Sequence, residues 1–151
     1  MKTGLQCVIA KEVLEPSILA AFDLANFDES HRMDEEEWRQ MLSNGYVAVY
    51  VARVKEEIAG ISVLKTSSAS TGMWYFYSVA VAEQFRRHHI AENLYAIATE
   101  NEKVSGKINS HCHVDNTASI ALHKALGFKP FQYAPDFYGD YEDAIMWEHS
   151  L

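Results

Sequence analysis

Cysteine, proline, positive charge and long apolar runs are all scarce in this chain, and each scarcity excludes something. Two cysteines, Cys7 and Cys112, make neither a disulfide framework nor a C-x-x-C pair, which is the usage of a reducing compartment. Three prolines and seven glycines exclude fibrous or low-complexity organisation. The longest charge-free stretch runs from Thr66 to Ala82, but its first half is Ser, Thr and Gly, so it falls short of the ~20 apolar residues of a membrane span. After Met1-Lys2-Thr3 a brief apolar patch ends at Lys11 without the small-residue cleavage site of a signal peptide, so a cytoplasmic protein is expected. Thirteen Lys and Arg against 21 Asp and Glu leave a net charge of −8. Such a surface repels nucleic-acid phosphates and anionic lipid, and favours a cationic or amine-bearing partner.

The chain has 151 residues, 48% of them hydrophobic and 23% charged, which suits one globular domain. Pro16 opens a helix whose apolar face is expected to hold Ile18, Leu19, Phe22 and Ala25. Asp34 and Glu37 form a capping box, with Met33 and Trp38 as its hydrophobic staple, for a second helix that stops at Asn44-Gly45. Tyr46 to Val54 and Ile58 to Leu64 then read as a hairpin, and Met73 to Val81 as a third strong strand. Ile90, Leu94, Ile97 and Ala98 carry helical spacing up to Gly106, and Ile108 to Val114 is a strand, so this strand-helix-strand unit implies a parallel pair. Asn116 caps a last helix, ended by Gly127, before two strand candidates, Phe128 to Tyr133 and Tyr141 to Trp147. The order is β-α-α-β-β-β-α-β-α-β-β, with no internal repeat.

Two segments carry a more specific signal. The stretch Val79-Ala80-Val81-Ala82-Glu83-Gln84-Phe85-Arg86-Arg87-His88-His89-Ile90-Ala91 runs from a strand through a basic loop into a helix N-terminus. Such a junction aims backbone N–H groups and the positive end of a helix dipole at one point, where a pyrophosphate can sit. The stretch Asn116-Thr117-Ala118-Ser119-Ile120-Ala121-Leu122-His123-Lys124-Ala125-Leu126-Gly127-Phe128 fits N-x-x-[AS]-I-x-L-[YH]-x-x-x-G-F at every fixed position. With the element order, these segments resemble the GNAT superfamily of acyl-CoA-dependent N-acetyltransferases, nearest in pattern to the ribosomal-protein-type N-terminal acetyltransferases. The first segment is similar to that family's [QR]-x-x-G-x-[GA] loop, with Arg86 first and Ala91 last. His89 stands where the family has its central glycine, and is expected to narrow or reshape the cradle.

The resemblance implies a single-domain α/β (α+β) GNAT fold: a mixed, mostly antiparallel sheet with one central parallel pair and helices on both faces. It implies acetyl-CoA as cosubstrate, direct transfer to a primary amine, and edge strands able to support a homodimer. Cofactor contacts are then expected from Val79, Ala80, Val81, Arg86, Arg87, His88, His89, Ile90, Ala91, Asn116 and Ser119. His123 falls where the family has a tyrosine thought to protonate the departing thiolate. Strand alternation puts His111 and His113 on one face and Cys112 on the other, which argues against a zinc site. His111, five residues before Asn116, falls where related N-terminal acetyltransferases place a base. A histidine base suits an α-amine, with a reference pKa of ~7.7 to 8.0, better than a lysine at ~10.4. Tyr75 is expected to assist through a water, and Tyr138, in a loop before the final strand, to wall the acceptor site.

The acids Asp28, Glu29 and Asp34 to Glu37, with Asp136, Asp140, Glu142 and Asp143, are candidates to border that site and favour a cationic acceptor. The acceptor stays open between a protein N-terminus and a small amine. A catalytically silent fold serving as CoA sensor or partner-binding module is the alternative.

Overall fold

The computed structural model describes residues 6–27, 32–66, 73–139 and 142–151. Seven strands form one sheet in the order β1-β2-β3-β4-β5-β7-β6. The strands are β1 Val8–Lys11, β2 Tyr46–Val54, β3 Glu57–Thr66, β4 Trp74–Val81, β5 Lys107–His113, β6 Lys129–Gly139 and β7 Glu142–Ser150. All neighbours run antiparallel except β4 and β5, the expected central parallel pair. Four helices cover the sheet: α1 Pro16–Asn26, α2 Glu35–Leu42, α3 Ile90–Asn101 and α4 Thr117–Leu126. No helix among the described residues is long and apolar enough to cross a membrane.

Alternation along the strands divides the core into two layers, because successive side chains point to opposite faces. On one face Tyr50, Leu64, Phe76 and Ile108 pack under Leu94, Tyr95 and Ala98 of α3, with Phe128 and Trp147 beside them. On the other, Val49, Val51, Ile61 and Val63 pack under Leu19 of α1 and Trp38 and Met41 of α2. Each fully buried residue of this size contributes about 1.5–3 kcal/mol relative to exposure.

Local signals explain most boundaries. Asp34 accepts from Glu37 N–H at 2.8 Å while Glu37 Oε1 accepts from Asp34 N–H at 3.0 Å, the reciprocal box read from the sequence. Gly127 takes φ 95° at the end of α4, and a Cβ there would meet His149 Nε2 at 2.9 Å. Three expectations need correction. The buried ridge of α1 is Leu19 with Asp23, whereas Ile18 and Ala25 are exposed. A carboxylate can occupy the core side because donors meet it there, as described below. α3 ends at Asn101 rather than near Gly106, since Lys103 already adopts a left-handed φ of 54°. β6 runs on through Pro135 to Gly139, which an edge strand tolerates because one side of its backbone needs no partner.

Candidate functional site

β4 and β5 are paired only at Trp74–Ile108 and Tyr75–Asn109. Beyond Tyr75 they part, and the Ser110 hydroxyl, rather than a backbone group of β5, reaches the Phe76 carbonyl at 3.0 Å. A register shift after Val63, which leaves Tyr77 unmatched between Phe76 and Ser78, bulges β4 at the same point. The peptide groups of Val79–Val81 therefore bond β3 on one side and face open space on the other. Two cavities meet at this opening, of about 830 Å³ and about 280 Å³, and they share Val79, His113, Asn116 and Ser119 among their walls.

Val79, Ala80 and Val81 lead the larger cavity to its basic end, where Arg86, Arg87, His89, Ile90 and Ala91 form the wall. Arg86 Nε donates to Val81 O at 3.0 Å and lays the loop back on the strand. Arg87 and His89 take φ of 69° and 59°, so the position expected to need glycine does require a positive φ, and histidine adopts it. No side chain caps α3, in contrast to α2 and α4, so the first-turn N–H groups are left for a ligand or water. His89 Nδ1 and Glu92 Oε2 lie 2.9 Å apart, which turns the imidazole toward its own helix. These features fit a pyrophosphate, because donors and positive charge converge on one wall of an open cleft. Asn116 Oδ1 accepts from Ser119 N–H at 3.0 Å as the N-cap of α4, and both residues line the cleft. His88, between the two left-handed residues, is half-buried and lines neither cavity.

The smaller cavity gathers His111, His123 and Tyr138, together with Phe27, Met33, Tyr77 and Ser110. His111 Nδ1 lies 2.6 Å from Tyr138 Oη, and Tyr138 stacks on His113 at 3.8 Å between centroids, so two histidines of one face grip one phenol. Burial holds the His111 pKa below its ordinary value, helped by the nearby His123 and His113. Burial likewise pushes the Tyr138 phenol far up. A neutral imidazole and a protonated phenol thus face the cavity. His123 is buried and stacked on Trp147. Its Nδ1 lies 2.7 Å from Ser119 O and its Nε2 2.7 Å from Ser110 Oγ. Burial lowers its pKa too, so at rest it is neutral and both ring nitrogens are engaged. Cys112 turns the other way and accepts from the Trp147 indole at 3.2 Å.

Tyr75 lies outside both cavities and is 40% exposed; Tyr77, beyond the bulge, is the tyrosine of β4 that lines the site. The acidic runs are also mostly engaged elsewhere. Asp34 and Glu37 cap α2, Glu35 and Glu36 pair with Arg39, and Asp143 accepts from Tyr133 and from Asp136 N–H. Glu142 and Asp143 line the larger cavity, whereas Asp28, Glu29 and Asp140 lie outside the described residues. The carboxylate that does line the smaller cavity, Asp23, belongs to neither run. Its Oδ2 accepts from Met33 N–H at 3.1 Å and from Trp38 Nε1–H at 3.0 Å. Helical apolar spacing passes over a polar residue, and only the Trp38 indole fifteen residues on could have marked it.

An N-alpha-acetyltransferase of Saccharolobus solfataricus is 27% identical over 114 residues, which take in 74% of this chain and 66% of the relative. This chain thus covers less than two thirds of that relative's length. Among solved structures, the ribosomal-protein-S18-alanine N-acetyltransferase from Escherichia coli superposes with a TM-score of 0.78 at 15% identity, covering 96% of this chain and 94% of that one. NAA60 of Arabidopsis thaliana in complex with acetyl-CoA gives 0.78 at 17% identity, covering 97% and 99%. Both solved structures share this fold, and the family model for the acetyltransferase (GNAT) family matches residues 15–128. With three quarters of its length inside that match and the strand splay, basic loop and α4 motif in their places, the chain belongs to the acetyltransferase (GNAT) family.

Proposed function

We propose that the chain transfers the acetyl group of acetyl-CoA to a primary amine by direct attack, with a peptide or protein α-amine as the first candidate acceptor. The observation that carries this reading is the β4–β5 splay, which joins a cleft ending at an uncapped helix N-terminus to a cavity holding a neutral His111–Tyr138 pair. Acetyl-CoA, once bound, supplies a thioester whose carbonyl carbon is the electrophile. Arg86, Arg87 and the first N–H groups of α3 hold its phosphates, and the cavity-facing amides of Val79–Val81 are the donors for its carbonyl oxygen. When His111 Nδ1–H donates to Tyr138 Oη, Nε2 carries the lone pair that accepts the amine's proton, while the new C–N bond displaces the C–S bond and CoA leaves as its thiolate. An imidazole held neutral matches an α-amine near pKa ~8 better than a lysine. His123 takes a positioning part: it fixes Ser110 and Ser119, and Ser119 stands at the junction of the two cavities. The names of the curated relatives support an α-amine acceptor.

The experiment is a thermal melt with excess acetyl-CoA or with ATP, followed by thiol release on a panel of N-terminal peptides and small amines. A ligand at 100 times its Kd adds about 2.7 kcal/mol, worth several degrees in Tm for a domain of this size. A larger shift with acetyl-CoA than with ATP, and transfer to at least one amine, is the expected result. No shift at millimolar acetyl-CoA overturns the reading, and a shift without transfer to any amine returns the silent fold.

A further inference from the structure

Asp23 is the one described carboxylate in the wall of the smaller cavity, 5% exposed, on the core side of α1. Among the described residues, both of its hydrogen bonds fall on Oδ2. The cavity is the open space that Asp23 borders. The other titratable groups lining this space are Arg32 from the segment before α2, Tyr77 from β4, His111, Cys112 and His113 from β5, His123 from α4 and Tyr138 from β6. Arg32 donates through Nε to Phe27 O at 2.8 Å, and among the described residues no ion pair joins it to Asp23. Glu37 on α2 acts on Tyr77 from nearby and adds negative potential rather than relieving it. A carboxylate in the wall of a substrate-sized space that, among the described residues, makes no ion pair is an unfilled half of a salt bridge.

We propose that Asp23 is a specificity-determining residue that receives a second positively charged group of the acceptor, distinct from the amine that is acetylated. The inference rests on the acyl-transfer reading for the word acceptor and deepens it: the preferred acceptors carry a cationic side chain, or a second ammonium, within one cavity length of the reacting nitrogen. Structure alone gives Asp23 another task, since its Oδ2 ties the start of α2 to α1. Asparagine keeps that tie, because its carbonyl oxygen can accept both N–H groups, and removes the charge. The raised pKa of Asp23, about 6, agrees with a carboxylate whose compensating charge comes from outside the chain.

The test compares wild type with Asp23→Asn in two ways. The first is kcat/KM for peptides that differ only by lysine or norleucine at the first or second position, and for 1,4-diaminobutane against butylamine. Wild type is expected to favour the charged member by on the order of 10-fold or more, and the variant to lose that preference while keeping its rate on the neutral member and its KM for acetyl-CoA. The second is calorimetric binding of 1,4-diaminobutane to the protein with CoA present, near pH 6, where binding by wild type should release protons and binding by the variant should not. Equal preference in the two proteins, or an equal loss on charged and neutral acceptors, overturns the proposal. If no amine is acetylated at all, the acyl-transfer reading fails separately. Diamine binding that the variant loses then still supports the charge site, and binding equal in both proteins overturns it.

Discussion

Replacing Asp23 by asparagine should raise stability relative to wild type as pH rises, by an amount that grows between about pH 4 and 6 and is complete near neutrality. The carboxyl has an ordinary pKa of 3.8 and is raised to about 6, chiefly by burial, with the bonds from Met33 N–H and Trp38 Nε1–H opposing the rise. Between those two values the folded state holds a proton that the unfolded state has released. Stability from this group is therefore fully present below pH 3.8 and is lost as pH climbs through 6. The gap converts to about 3 kcal/mol over the whole titration, of which about 2.4 kcal/mol falls between pH 4 and pH 7.5. Asparagine accepts the same two hydrogen bonds and has no proton to lose. Any constant difference between amide and carboxyl cancels when the two proteins are compared across pH, as do the titrations of His111 and His123. Urea unfolding of both proteins at pH 4, 5, 6, 7 and 8 measures this. The variant should gain about 2–3 kcal/mol on wild type over the series, with most of the gain between pH 4 and 6 and little above 7. A difference that stays flat from pH 4 to 8 would refute the reasoning, since it would mean that the buried carboxylate ionises at no cost.

Other perturbations separate fold from site. Ser62 is fully buried, and its hydroxyl has no hydrogen-bond partner, so Ser62→Ala should stabilise by about 1 kcal/mol in the same assay, and a loss of stability would show that the hydroxyl is satisfied. A β-branched residue tolerates a left-handed backbone poorly. His89→Val should cost about 1–2 kcal/mol and weaken acetyl-CoA binding, whereas His89→Gly should keep both, as read by thermal melts with and without ligand. Arg86→Ala should raise the Kd for acetyl-CoA about tenfold with turnover at saturation unchanged, measured by titration calorimetry and saturation kinetics.

Most of the fold was legible because its boundaries are made locally. The Asp34–Glu37 box, Asn116 as cap and Gly127 as the left-handed stop are short-range signals, and the structure uses each one as read. The cleft proposed for the cofactor was legible as a cleft for the same reason, since its wall is largely a strand, a loop and a helix start in one continuous run. The acceptor side is assembled from α1, β4, β5 and β6, and there local reading faltered. Tyr75 and Tyr77 are indistinguishable by alternation until the bulge in β4 is known. His123 reads by resemblance as an acid for the departing thiolate, and burial beside Trp147 makes it a neutral group with both ring nitrogens engaged. Asp23 sits among apolar residues and is explained only by donors ten and fifteen positions away.

The account stands most directly on His111. Its imidazole, kept neutral by burial and fixed by Tyr138, is the proposed base, so kcat for acetyl transfer to a peptide α-amine should be followed from pH 5 to 9 in wild type and in His111→Ala. Wild type should hold its rate down to a rising limb below pH 6.5, because a lowered pKa keeps the base available in acid. The variant should lose on the order of 10² to 10⁴ in kcat, lack that limb, and keep its melting shift with acetyl-CoA. Turnover in His111→Ala within a few-fold of wild type, with the limb intact, would contradict the mechanism at its centre.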